Sequence, residues 1–186
     1  MAKCTICNSR KGKRKCMAED SLICSLCCGQ SRNPEKCTGC VHYKNVSQNR
    51  NYRKVPFYGI EQMSDSITLQ SISNTIESIL CRLDIDAENE FTDKTALQLL
   101  EAAFDTLHFK NSEMSFTDPA TKILFEKMSQ IMEQDLPDTP EEQLIKVMAA
   151  VYRSIQRRTN GGREYLTFAQ QYVGPRVGPG VRVLQY

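Results

Sequence analysis

No run of apolar residues in this sequence approaches the ~18 needed to cross a bilayer, so no membrane segment is expected. Nor does the chain open on the apolar stretch of a secretory leader. Met1-Ala2-Lys3 runs straight into Cys4, which points to a reducing, cytoplasmic setting. There is no Gly-x-Ser-x-Gly elbow, no His-Glu-x-x-His and no phosphate loop. The glycines of the tail, residues 174–180, resemble such a loop only superficially. Pro175 and Pro179 lack the N–H donors it uses, and no Lys-Ser/Thr follows. Histidine is limited to two residues, and His108 is far in sequence from any candidate partner. These absences leave no marked acid–base pair, and an enzyme is not expected.

Cysteine, by contrast, is plentiful. Eight of the nine cysteines lie within residues 4–40 as Cys4-x2-Cys7, Cys16, Cys24-x2-Cys27-Cys28 and Cys37-x2-Cys40, followed by His42. Cys-x2-Cys is the spacing with which a short knuckle puts two sulfurs on one tetrahedral zinc. A disulfide framework would also use an even count, but thiols in a reducing compartment stay free, and their density in a short, loop-rich stretch points to metal. Four ligands per ion imply two zinc ions. Keeping the pairs intact assigns Cys4, Cys7, Cys24 and Cys27 to the first and Cys16, Cys28, Cys37 and Cys40 to the second. On an extended backbone adjacent Cys27 and Cys28 would face opposite ways and serve different ions. His42 is a rival for the last position of the second site.

The order pair, single, pair, pair with interleaved ligands resembles the B-box and RING class of cross-braced zinc modules over residues 4–42. That resemblance implies a small fold fastened by two ions. Such modules place an acidic, Cys or His ligand shortly after the third position, where Glu19 and Asp20 stand here, and tend to end on histidines, where this chain has Cys37 and Cys40. The variable second-site ligands are therefore open among Cys28, Glu19, Asp20 and His42. The stretch Ile23-Cys-Ser-Leu-Cys-Cys-Gly-Gln30, followed by Ser31-Arg32, also resembles N-terminal zinc modules of bacterial proteins without an assigned activity.

Charge is unevenly distributed. Residues 1–54 carry twelve Lys/Arg against three acids, residues 55–151 six against eighteen, and residues 152–186 six against one. Eight zinc-bound thiolates and two Zn2+ would lower the first segment to about +5 and the protein to about −2. Arg10, Lys11, Lys13, Arg14 and Lys15 sit between Cys7 and Cys16. They can contact phosphates of a nucleic acid, or offset the charge of zinc–thiolate clusters. Past the cysteines, Asn45, Asn49, Arg50, Asn51, Arg53 and Lys54 alternate with Tyr43, Tyr52, Phe57 and Tyr58. This basic, aromatic stretch can stack on a single strand or act as a linker docking its rings onto the next domain.

From about Asp65 the periodicity turns helical. Ile72, Ile76, Ile79 or Leu80, and Leu83 mark one helix, with Cys81 a small packed residue on its shoulder. Asp84-x-Asp86-x-Glu88 lacks the Gly and Glu that a calcium loop needs at its sixth and twelfth positions, where Asn89 and Thr95 stand, and reads as an acidic interhelical loop. A second helix begins at Thr92 or Asp93 with Leu97, Leu100, Phe104 and Leu107 inward; a third opens at Asp118-Pro119. A fourth starts on Thr139-Pro140-Glu141-Glu142, which has the form of a capping box, and ends in Arg153, Arg157 and Arg158. A short helix with Tyr165, Phe168 and Tyr172 on one side precedes Gly174-Pro175 and an extended tail that docks back or meets a partner.

The expected architecture is a small zinc-bound cross-brace module (1–44), a basic and aromatic linker (45–63), an all-α domain of four to five helices (64–173) and a Gly/Pro/Arg tail (174–186). The expected function is non-enzymatic: an adaptor for an unidentified protein partner, the zinc being structural. The alternative is a nucleic-acid-binding protein using Arg10, Lys11, Lys13, Arg14 and Lys15 with Arg50, Arg53 and Lys54.

Overall fold

The computed structural model describes residues 2–37, 39–43, 50–87, 90–111, 116 and 118–184. Asn45, Asn49, Glu88 and Asn89, singled out above, lie outside them. The chain divides into two units, Met1–Arg50 and Asn51–Tyr186.

In the first unit, β1 (Arg14–Cys16) and β2 (Ser21–Ile23) form an antiparallel hairpin with Lys15 opposite Leu22 and Cys16 opposite Ser21. The first knuckle is stitched to this hairpin through Thr5 N–H to the Leu22 carbonyl at 3.2 Å, while Cys4 N–H reaches the Arg10 carbonyl at 2.7 Å. Gly12 permits that close approach, since a Cβ there would stand 2.8 Å from the Leu22 carbonyl oxygen. Two short helices follow, α1 (Ser25–Gln30) and α2 (Pro34–Cys37). Among the described residues the unit's buried core consists of Cys4, Ile23, Cys24 and Cys27. A single aliphatic side chain among three thiols is far too little apolar area to hold a fold.

The second unit is helical. After a 3-10 turn at Tyr52–Lys54 come α3 (Ile60–Ser64), α4 (Ile67–Asp86), α5 (Asp93–Leu107), α6 (Pro119–Asp135), α7 (Glu141–Arg158) and α8 (Glu164–Tyr172). The long helix α4 packs against α6, α7 and α8, and α5 against α6 and α7. Its expected stripe is buried: Ile72, Ile76, Ile79, Leu80, Leu83 and the neighbouring Cys81 all enter the core. Side-chain caps start three of the helices. Ser66 accepts from Leu69 N–H, Thr92 from Thr95 N–H, and Asp118 from Thr121 N–H at 2.8 Å.

Several details differ from the sequence reading. Helix α7 begins at Pro140 without a side-chain cap. The Thr139–Glu142 box does not close, because Glu142 is drawn to Lys146 and Glu141 to Lys110, each at 2.6 Å. Asp84 and Asp86 belong to α4, not to an interhelical loop. In α5 the inward face is Ala96, Leu99, Leu100, Ala103 and Phe104, leaving Leu97 and Leu107 partly buried. In α8 Leu166 and Ala169 join Tyr165 in the interior, and Tyr172 is 66% exposed. The tail adds an element to the helical unit: a hairpin of β3 (Arg176–Gly178) and β4 (Val181–Arg182) that packs on α4. It is tied to α6 by Arg176, whose guanidinium donates to both carboxylate oxygens of Asp135 at 2.6 and 3.0 Å.

The carboxylates packed under α8, two buried and one half-buried, form a set. Asp84 accepts from Arg163 and from Gln170, each at 2.5 Å. Glu77 accepts from the Tyr165 hydroxyl, and burial pushes its carboxyl upward. Asp93 is fully buried and accepts from Tyr165 N–H at 3.0 Å and Leu166 N–H at 3.1 Å. Helix α8 has no side-chain cap of its own at Arg163. Asp93, the first residue of α5, thus supplies the anion that α8's first turn needs. We predict that Asp93→Ala, which orphans two buried N–H groups, destabilises the helical unit by about 2–3 kcal/mol. Urea unfolding followed by far-UV circular dichroism would read this, and an unchanged midpoint would remove the role.

Candidate metal centre

Helix α1 organises the cysteines. Cys24 is its N-cap residue, with extended backbone, and its Sγ accepts from Cys27 N–H at 3.4 Å. One thiol therefore serves as helix cap and as ligand candidate. Cys27 and Cys28 lie in the helix, not on an extended strand as the sequence reading had it. Successive helical side chains diverge by about 100°. Cys27 consequently turns into the core with Cys4 and Cys24, while Cys28 packs half-buried at its edge and lines the small cavity described below.

The sulfurs of Cys4, Cys7, Cys24 and Cys27 all lie within 4.8 Å of one another, with Cys7 and Cys24 at 4.0 Å. Four thiolates at ~2.3 Å from one tetrahedral zinc stand ~3.8 Å apart. Closing onto an ion thus asks for contractions of less than about 1 Å. The cysteines are free thiols. The donor set is all sulfur, which suits zinc or another thiophilic ion and excludes calcium and magnesium. Cys4, Cys24 and Cys27 are buried, and Cys7 is the half-buried member.

The electrostatics are those of a cluster in want of a cation. Hydrogen bonds from the Ser9 side chain and from the Ser9 and Arg10 backbones bring the Cys7 thiol down to about 5. The Cys4 thiol lies below its usual value, because N–H donors from Cys7, Cys24 and Ile6 outweigh burial. Cys27 is pushed up to about 12 by its hydrogen bond with Cys24 and by burial. The donors around Cys7 favour its thiolate, while burial and the hydrogen bond with Cys24 disfavour that of Cys27. A divalent ion removes that conflict.

Cys16, Cys28, Cys37 and Cys40 are half-buried and line one small cavity of about 20 Å3, together with His42. Among the described residues they do not form a second group gathered as tightly as the first. Glu19 and Asp20 do not line that cavity, and Asp20 forms an exposed ion pair with Lys15 at 3.4 Å. The Arg14 guanidinium donates to Cys28 Sγ at 3.5 Å. Sequence spacing gave no sign of that contact. Cys81 belongs to the helical core, where burial pushes its thiol up to about 12 and makes it inert.

The basic residues are placed unequally. Arg10, Lys11, Lys13 and Lys15 are exposed on the first unit, and Arg14 is half-buried. In the second unit Arg53 and Lys54 are exposed, and the Arg53 carbonyl accepts from Arg153. Arg50, the last residue of the first unit, is half-buried. The aromatic residues beside them are used internally. The Tyr52 hydroxyl donates to Asp105 at 3.2 Å while its ring packs near Phe104, Phe109 and Tyr152. Phe57 lies under the Arg153 guanidinium at 3.8 Å and Tyr58 under the Lys146 ammonium at 5.5 Å. Asp84 and Asp86, read against calcium above, are committed to Arg163 and to Lys127 and Arg82 respectively. His108 is an exposed C-cap residue of α5 whose ring lies 4.7 Å from Phe109.

Comparison with known protein families, with curated proteins and with solved structures finds no match for this chain. Among the described residues, no helix is long and apolar enough to cross a membrane.

We predict that cobalt-loaded protein shows the strong thiolate-to-metal absorption of a Cys4 tetrahedral site, and that Cys4→Ser or Cys24→Ser removes the share of it that comes from the four gathered sulfurs. Undiminished absorption in both variants would place the metal elsewhere. Because the first unit has almost no aliphatic core, chelation should unfold it while leaving the far-UV signal of α4–α8 largely intact.

Proposed function

We propose that the chain is a non-enzymatic zinc protein acting as an adaptor between proteins, with the zinc serving structure only. The observation that carries this reading is the apolar rim of the metal module. Ile6 and Leu26 each stand one residue before a ligand of the four-sulfur group and are 48% and 49% exposed. Leu22, Met17 and Val41 are 41%, 62% and 88% exposed on the same small unit. Apolar side chains projecting from a module with so little interior are what a docking face offers. A four-thiolate zinc has no open position for water or substrate, in keeping with a structural role.

The module is, on this reading, a cross-brace of the B-box and RING type with two zinc ions. Cys4, Cys7, Cys24 and Cys27 hold one. Cys16, Cys28, Cys37 and Cys40, which line one small cavity, would close around the other. Arg14 beside Cys28 would offset part of the second cluster's negative charge. A cytoplasmic setting goes with this reading, since a reducing compartment keeps the thiols available.

A nucleic-acid role is the second reading, favoured by Arg10, Lys11 and Lys13, which are exposed and have no ion-pair partner among the described residues. It is weakened by the internal use of Arg14 and of the Tyr52, Phe57 and Tyr58 rings. The two are separated by one pair of measurements on zinc-loaded protein. The adaptor predicts that Ile6→Asp with Leu26→Asp abolishes recruitment of partners identified by quantitative affinity capture, whereas Lys11→Glu with Lys13→Glu does not. Nucleic-acid binding predicts oligonucleotide affinity that falls steeply with salt, the slope shrinking by about one for each cation removed. Recruitment indifferent to the apolar pair would sink the adaptor.

A further inference from the structure

The second unit carries an apolar groove of about 780 Å3 to which α3, α4 and α7 all contribute. Part of its lining is small: Ser73 from α4 with Ala150 and Ser154 from α7, all half-buried. Beside these stands Ile60 of α3, a groove residue itself yet 74% exposed. Gln70 lines both this groove and the adjoining polar recess, which includes Ile67, 85% exposed. Phe57, at the groove, is 46% exposed. Ile60 in the groove and Ile67 in the recess that shares Gln70 with it leave apolar surface open to a partner on this side of the unit.

The same lining carries one acid and one base. Glu61 comes from α3 and Arg157 from α7. Both are exposed, and neither has an ion-pair partner among the described residues. Arg157 Nε donates to the Arg153 carbonyl within its own helix at 3.3 Å. The segment leading into α3 is fastened to α7 through Phe57 on Arg153 and Tyr58 on Lys146. The groove is therefore preformed.

We infer that the occupant of this groove is a second copy of the chain, joined across a two-fold axis. A two-fold interface places one patch against itself, so the patch must hold both halves of every contact it makes. This one does. It holds a projecting side chain, Ile60, and small residues to receive it, Ser73, Ala150 and Ser154. It also holds a carboxylate and a guanidinium. In the pair, each Ile60 lies over the small residues of the other copy, and each Glu61 meets the other copy's Arg157. A different partner would need to supply complements to all of these; a second copy already has them. The inference does not depend on the metal centre or on the adaptor reading, and its failure would leave both untouched.

The test is native mass spectrometry and sedimentation velocity on the zinc-loaded full chain over a range reaching about 100 µM, which covers ordinary dimer affinities. The wild type should dimerise with concentration. Ile60→Asp, Glu61→Arg and Arg157→Glu should each weaken the dimer by about tenfold or more. The double variant Glu61→Arg/Arg157→Glu should dimerise like the wild type, because the swapped charges meet again across the axis. All three positions are exposed, and matched melting curves confirm that the variants fold. A wild type monomeric throughout would overturn the inference. So would a dimer indifferent to Ile60→Asp, since the contact would then lie elsewhere. Single swaps that weaken the dimer without rescue by the double variant would also overturn it. A monomer whose groove instead captures a different protein would assign the groove to that occupant.

Discussion

Four sulfur atoms within 4.8 Å of one another are what the first unit is built upon. Packed together they cannot all carry charge, and burial penalises those that do. The opposite displacements of Cys7 and Cys27 record this conflict, one thiol held low by its donors and the other driven up by its neighbours. Apolar packing does little to hold the unit together, because among the described residues Ile23 is the one aliphatic member of its buried core. A cation resolves the repulsion and replaces the missing apolar interior at the same time. The knuckles, the hairpin register and the position of α1 are all arranged to bring those sulfurs to one point.

The helical unit is held in a different way. Its core is continuous and mainly aliphatic, centred on α4. The aromatic residues of the segment before α3 complete it from outside, Tyr52 by a hydrogen bond to Asp105 and by ring contacts with Phe104 and Tyr152. Arginines near the end of α7 lie over rings, Arg153 over Phe57 and Arg158 over Phe168. Cations that complement a helix dipole thus also clamp the neighbouring segments.

Much of this was legible in residue spacing. Periodicity located α4 through Ile72, Ile76 and Leu83, and Asp118-Pro119 marked the start of α6, because both signals are local. Intact Cys-x2-Cys pairs likewise picked out the four sulfurs that come together. The backbone carrying Cys27 and Cys28 was misread, since adjacent ligands separate as well on a helix as on a strand. The Thr139–Glu142 box failed because its glutamates found lysines, one of them at position 110, far away in sequence. The inward face of α5 was set by which neighbours surround it, so Ala96, Leu99 and Ala103 replaced Leu97 and Leu107. Arg14 beside Cys28 and Asp93 at the head of α8 were invisible for a common reason. Each is a long-range polar contact, and no short pattern records it.

The bonds beneath α8 have a consequence for how the chain is made. Glu77, Asp84 and Asp93 all belong to α4 and α5, yet Arg163, Tyr165, Leu166 and Gln170, which donate to them, lie far along the chain at α8. During synthesis the acids emerge some seventy to ninety residues before their donors. Until then the nascent bundle must leave them in water, and α4 cannot settle fully into its core. A chain cut short before α8 would keep the helices with their apolar stripes but would have to bury unpaired carboxylates to pack them. Completion of the helical unit is thereby tied to the arrival of α8, and products cut short before it are left open to proteolysis.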